Sequence, residues 1–512
     1  MKRVLMLVIA VVMAALTACG GGSSENSGDK SSGSGAKGAV DTDGSIVIAH
    51  PTGMAAWDIA QSRGGPETEL QGLVYDRLVH VTADGAPSPG LAESWEFGAD
   101  AKSITFTLKS GVTFTDGTEF DSSVVKANIE RLKGEGTTTA GQLMNITEVQ
   151  TPDPSTVTFQ LANPDTGVLL LMGDRFGMQM SPETFGGEIT EPVGSGMFSL
   201  VSQQPGTTYE FTRNDDYWDA EVVQVKDVVV NVVADPKARM NAVRSGQADL
   251  TMVDAASVAE AESISNAAVT ELPTIGVKTV YLNQALVPEF KDERVRKALS
   301  LAIDREAIVS SLLKGVGEPA SQMIPPIAPG YNDALDGTPR DVDAAKALME
   351  EAGVTGLSFD LAVQPPDTLQ AEALQSQWKE IGVDVKIKTI DSFALGQAVW
   401  TDKTEEAGLV TFSGRLDPSF TMALNYLPGA PMNPGNFENA KLSELIKSAQ
   451  AETDESARFD LLAQATELAA ESPQGALPVF TITNGLLAGE RLQGVQAHYL
   501  GFPRLDGVGV TK

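Results

Sequence analysis

One cysteine, at position 19, is all that the 512 residues contain. A lone cysteine cannot close an intramolecular disulfide and lacks the partners of a cysteine-rich metal site. Histidine is nearly as scarce, with only His50, His80 and His498. They lie too far apart in sequence to suggest a catalytic triad or a zinc site, and each reads as a packed or surface residue. Positive charge is also short: Lys+Arg number 37 against Asp+Glu 68, for a net charge of −31. Such a field repels nucleic acid and anionic lipid surfaces, so neither is expected as a contact partner. After residue 16 no apolar run reaches the roughly 18 residues that suggest a membrane-spanning helix. No His-Glu-x-x-His, P-loop, Gly-x-Ser-x-Gly or Cys-x-x-Cys motif occurs. Pairs such as Asp215-Asp216 and Glu405-Glu406 read as solvated faces in so acidic a chain. No enzyme is expected, and no cofactor or metal.

What is present begins at the N-terminus. Lys2 and Arg3 precede an apolar run from Val4 to Leu16, and small residues follow it. Residues 1–18 therefore read as a secretory leader, too short for a spanning helix of about 20 residues. Leu16-Thr-Ala-Cys19 resembles the bacterial lipobox, in which the cysteine is diacylated and becomes the first mature residue. Cys19 is thus expected to carry a lipid anchor, palmitate included. Residues 19–44 continue in Gly, Ser, Ala, Asp and Lys without apolar periodicity, as a flexible tether would.

From residue 45 the composition becomes that of an ordinary globular protein, long enough for two or three domains at about 150 residues each. Ser45 to His50 reads as a buried strand. Ile104, Phe106 and Leu108 alternate with polar residues as a half-buried strand, and Thr156 to Leu161 repeats the pattern. Between them, Asp121 to Gly134 switches to helical spacing. Val228 to Val233 is a β-branched run expected to be covered on both faces. A helix opened by Asp235-Pro236 and a strand from Ala248 to Val253 complete a βαβ unit. Tyr281 to Asn283 reads as a short strand. Two helices, 292–302 and 304–313, and a third from Val342 to Ala352 follow it. Leu357–Val363, a helix from Thr368 to Ile381 and Val383–Lys388 form a second βαβ unit. Helices at 441–449 and 455–470 precede an apolar strand from Leu477 to Ile482. The pattern is α/β, in two lobes, with an α+β insertion in the first.

Four blocks together resemble the bacterial extracytoplasmic solute-binding proteins of family 5, which serve peptide and nickel ABC transporters. They are Pro89–Glu96 with Ile104–Phe120, Val193–Phe198 with Arg213–Trp218, Phe290–Arg305, and Ala345–Gly353. They occur in the family's order across nearly the whole mature chain. The resemblance implies a two-lobed clamp of the periplasmic-binding-protein type (type II, cluster C), with solute held between lobes that close by a hinge. It places lobe I at 45–72, 182–277 and 485–512, an inserted subdomain at 73–181, and lobe II at 278–484. Trp95, Trp218 and the turn Asp116-Gly117 read as structural within these blocks.

The cleft is expected where strand Gly408–Phe412 feeds the loop Ser413-Gly-Arg-Leu-Asp-Pro418, since ligands gather at strand ends in open α/β sheets. In peptide-binding relatives an aspartate stands about four residues before this proline and pairs with the peptide ammonium. Here Gly414 holds that place, with Arg415 beside it. A guanidinium in a low-dielectric cleft favours a carboxylate. Arg415 is therefore a candidate ligand contact, with Phe412 at the strand end; Asp417 is a second candidate, able to receive an amine or to cap the turn with Pro418. Asn436 and Phe437 belong to a loop that resembles one near the ligand in relatives, and Trp57 and Trp400 are candidate stacking surfaces. The expectation is a monomeric lipoprotein on the extracytoplasmic face. It would capture a peptide or other carboxylate-bearing solute for an ABC permease. A metal chelate, sugar or opine-like solute stays open, as do a secreted hydrolase and an interaction protein that has lost solute binding.

Overall fold

The alternating segment SIVIAH forms strand β1 (Ser45–His50) and opens a sheet that runs through the whole fold. The computed structural model describes residues 39–512, apart from 63–64, 83–84, 337–338 and 497–502. Cys19, the leader, the first part of the tether and His498 lie outside the described residues. The other strands of the sheet are β2 (Phe198–Gln204), β3 (Thr208–Arg213), β4 (Asp227–Val232), β5 (Leu250–Val253) and β6 (Ala267–Leu282). They continue with β7 (Ser358–Val363), β8 (Asp384–Thr389), β9 (Ala407–Phe412) and β10 (Ala476–Gly489). Their order is β8-β7-β9-β6-β10-β5-β1-β4-β3-β2.

The first crossover forms as the sequence pattern implies. Asp235 caps the helix Pro236–Arg244 by accepting from the Ala238 amide, and β4 and β5 flank β1, both parallel to it. β4 is not covered on both faces, however. Val228 and Val230 are fully buried while Val229 and Val232 are only partly so, because the chain covers one side of this half-sheet more completely. The second crossover joins β7 to β8 in parallel through the helix Thr368–Lys379, which buries Ala371, Leu374 and Trp378. Each such large apolar side chain contributes roughly 1.5–3 kcal/mol by leaving water.

β6 and β10 are far longer than the short segments expected at 281–283 and 477–482. They pair with each other antiparallel and carry the sheet from one half to the other. Register is lost between Pro273 and Val277, where Thr274 Oγ1 donates to the Ile482 carbonyl at 2.8 Å. A separate four-stranded antiparallel sheet (Ala92–Phe97, Ser103–Leu108, Thr156–Leu161, Ile146–Asp153, in spatial order) packs with the helix Ser122–Leu132, capped by Asp121. Its inward residues Ile104, Phe106 and Leu108 are buried as the alternation requires.

The Glu405-Glu406 pair is not a solvated face. The Glu405 carboxylate is buried against Lys388 Nζ at 2.8 Å, and Glu406 accepts from the Asp360 amide at 2.7 Å. Asp215, by contrast, is exposed. Among the described residues no helix is long and apolar enough to cross a membrane.

Candidate functional site

β9 is buried along nearly its whole length and paired on both sides, with Val277 of β6 opposite Phe412 and Leu361 of β7 opposite Ala407. The strand stops because Gly414 takes φ +73°, a left-handed conformation. A β-carbon there would lie 2.1 Å from the Ile275 carbonyl oxygen. Arg415 then donates its amide to Thr421 Oγ1 at 3.0 Å, and Asp417 caps the helix Pro418–Tyr426 through the Ser419 amide at 2.9 Å. The loop is thus fixed at both ends.

The opposing wall comes from the short helix Val168–Leu171 and the turn Arg175–Gly177. Thr166 donates its amide to the Gln450 carbonyl at 2.8 Å. Gly167 lies so close to the Asp417 carboxylate that a β-carbon would be 3.0 Å from its Cγ. Val81 and Leu170 from this side share one hydrophobic cluster with Phe412, Leu416, Tyr281 and Met422 from the other. Segments about 240 residues apart in the chain meet here.

Cationic groups collect along this seam. Arg415 stacks its guanidinium over the Phe412 ring (5.4 Å to the centroid), and Arg175 does the same over Phe176 (4.9 Å). The Nε atoms of Arg77, Arg175 and Arg415 are all buried without a hydrogen-bond partner. Among the described residues none of the three has a carboxylate within salt-bridge distance. Burial lowers the pKa of Arg415; Asp174 opposes the shift and the like charge of Arg175 adds to it. Burial and the charge of Arg504 push Arg77 down to about 10. A cavity of about 60 Å³ lies beside Arg77 and Arg504, bounded by His80, Tyr217 and Gly173. The Asp174 carboxylate acts on all three arginines without bridging any of them, so three guanidinium groups share one nearby acid in a chain of net charge −31.

Of the expected ligand contacts, Phe412, Arg415 and Trp400 come together here. Trp400 makes an edge contact with Tyr281 (centroids 5.4 Å apart) and buries an indole N–H without a partner. Four others have different work. The Asp417 carboxylate is buried and engaged by Arg458 at one oxygen and by the Ser419 hydroxyl and two amides at the other. Asn436, at φ +50°, accepts from the Gly429 amide at 2.6 Å and closes its own loop. Phe437 is buried between Gly435, Gly475 and the Arg296 guanidinium. Trp57 is buried against Tyr209 and Phe211 and donates to Gln203 Oε1 at 3.0 Å. The structure gives each of these four a packing or hydrogen-bonding partner of its own.

Arg175 and Arg77 were not expected from the sequence. The one visible signal was a charged pair, Asp174-Arg175, directly after the apolar run Val168–Leu171. His80 and Trp218 both donate to the Asp76 carboxylate at 2.6 Å, and this network accounts for them structurally. Among the described residues no group of three or more His, Cys, Asp or Glu could hold a metal ion.

A family model described as "Bacterial extracellular solute-binding proteins, family 5 Middle" matches residues 86–434. The chain belongs to this family. Its relatives include di/tripeptide-binding protein 3 of Pseudomonas aeruginosa, 26% identical over 473 residues that cover 83% of this chain and 87% of that one. The nickel-binding periplasmic protein of Escherichia coli is 28% identical over 397 residues, covering 72% of each. Among solved structures, HbpA2 of Haemophilus parasuis superposes with a TM-score of 0.82 at 23% identity, covering 92% of this chain and all of that one. The family 5 fold is therefore the two-lobed clamp expected from the sequence. The family's members bind solutes outside the cytoplasm, and its relatives are binding proteins rather than enzymes.

Proposed function

We propose that this family 5 protein captures a carboxylate-bearing solute, a short peptide or another small organic acid, between its lobes and delivers it to an ABC permease. One observation supports the choice of solute: Arg415 and Arg175 reach the seam from distant parts of the chain, each over an aromatic ring, with buried Nε–H donors unused and with Asp174 acting on both but bridging neither. A guanidinium held flat against a ring keeps its hydrogen-bonding edge for a planar, bidentate anion. A carboxylate between the two would relieve their mutual repulsion and make closure favourable, which links binding to the hinge motion. The di/tripeptide-binding relative is consistent with a peptide carboxylate, and a carboxylate-rich metal chelate would meet the same groups.

Native mass spectrometry of the full chain from a rich extract, with release of what co-purifies, should yield a carboxylate-bearing molecule. Arg415→Ala should then weaken its binding at least about tenfold, near 1.4 kcal/mol, while thermal unfolding stays unchanged. Unaltered affinity would remove the argument for an anion. We further propose that Cys19 carries the lipid, which would raise the protein's effective concentration at the permease. Cys19→Ser should move the protein from the membrane fraction to the soluble extracytoplasmic fraction, and retention at the membrane would exclude that anchor.

A further inference from the structure

A groove of about 700 Å³ separates residues 141–171 from the helices Pro418–Tyr426 and Ala440–Ala451. It shares the helix Val168–Leu171 with the seam described above but is lined by none of Phe412, Arg415, Arg175 or Trp400, so it is separate from the cationic groups there. Val168 and Leu171 form one apolar wall, and Phe420 and Leu427 form the other. At its mouth Met144 is 74% exposed, a large apolar side chain left in water. The volume falls within the roughly 300–1,000 Å³ of small-molecule sites, which are mostly apolar with a few convergent polar groups.

The convergent polar group is Asp165. Its carboxylate accepts from the Gly167 amide at 3.0 Å and from Asn145 Nδ2 at 3.2 Å, both neutral donors. Among the described residues no cation lies within salt-bridge distance of it. Asp417, behind Gly167, already belongs to Arg458. The remaining charge on the groove is Lys447, whose side chain is exposed at the rim. A solvated lysine contributes little to holding an anion, whereas a desolvated carboxylate lacking a counter-charge favours a cation strongly.

We propose that this groove is a second binding site, for a small apolar molecule bearing a primary ammonium, with Asp165 receiving the ammonium. Its walls come from the two lobes, so an occupied groove also favours the closed clamp. Burial, reinforced by the charge of Asp417, raises the Asp165 carboxyl to about 6, against the pull of Gly167, Asn145 and Arg458. An ammonium needs Asp165 ionised. Affinity is therefore full above pH 6 and falls as the carboxyl takes up a proton below it, by at most about tenfold per pH unit.

Isothermal titration calorimetry on the full chain tests this with phenethylamine, and with 3-phenylpropionate as a probe of the same apolar body and opposite charge. Phenethylamine should bind at pH 7.5 and 3-phenylpropionate should not bind in the groove. Binding should weaken about tenfold at pH 5 and at least about tenfold in Asp165→Asn. Phe420→Ala should weaken it independently. Arg415→Ala should leave phenethylamine binding within about twofold of the parent, which separates this site from the proposed solute cleft. No phenethylamine binding, equal binding in a folded Asp165→Asn protein, or affinity independent of pH would each overturn the proposal.

Discussion

Replacing Arg458 with methionine is expected to lower stability by about 3–5 kcal/mol, because it strands a buried carboxylate. Arg458 sits in the first turns of the helix Glu455–Glu471 and donates to Asp417, to Ser419 Oγ at 3.1 Å and to the Ala449 carbonyl at 3.2 Å. It therefore ties three elements together: its own helix, the end of Ala440–Ala451 and the cap of Pro418–Tyr426. The Asp417 side chain is only 4% exposed, so water cannot replace the lost cation. Asp417→Asn removes the charge but keeps an oxygen to cap the helix, so it should cost less, on the order of 1–2 kcal/mol. In the double variant the uncompensated charge is gone. Denaturant unfolding of all four proteins should therefore give a coupling of about 2 kcal/mol. A coupling near zero, together with a loss of solute binding in Asp417→Asn, would return Asp417 to the role of an amine receptor.

Of the two roles open to Asp417 in the sequence, the helix cap is the local one, and local features are the legible ones. The caps Asp121, Asp235, Asp292 and Asp304 were legible because a cap and its helix are neighbours in the chain. The ten-strand sheet was less so. Ala267–Pro273 is not a persuasive strand by itself and forms one because residues more than 200 positions away, Thr483–Gly489, supply its partners. The same holds at the site. Phe412 to Asp417 is one local loop that can be read in the chain, whereas Arg175 arrives from about 240 residues earlier with only the pair Asp174-Arg175 to mark it. Trp57, Asn436 and Phe437 carry the right chemistry for a cleft. Trp57 and Phe437 are buried and Asn436 closes its own loop, which are properties of the assembled fold.

Gly414→Ala should be the most damaging single change to solute binding. The residue sits at φ +73°, and the added methyl would lie 2.1 Å from the Ile275 oxygen and 2.8 Å from the Ile275 carbonyl carbon, both in backbone. Backbone atoms of β6 cannot step aside without breaking the ladder that joins the two halves of the sheet. Left-handed strain and overpacking together suggest a cost on the order of 3 kcal/mol. Some of that strain would be relieved by moving the Ser413–Asp417 loop, which carries the Arg415 guanidinium away from the seam. A displacement of about 1 Å can cost on the order of 100-fold in a tightly positioned interaction, so solute affinity should fall at least that far. Gly414→Asp should behave no better. The carboxylate that the family resemblance places near this point in peptide-binding relatives cannot be restored here by one substitution, because the Ile275 carbonyl occupies the space its β-carbon needs. Ser413→Ala, on an exposed neighbour in the same loop, is the control and should leave stability and binding unchanged. If Gly414→Ala kept stability within about 0.5 kcal/mol and bound solute normally, the strand end at Phe412 would not be what aims Arg415 into the cleft.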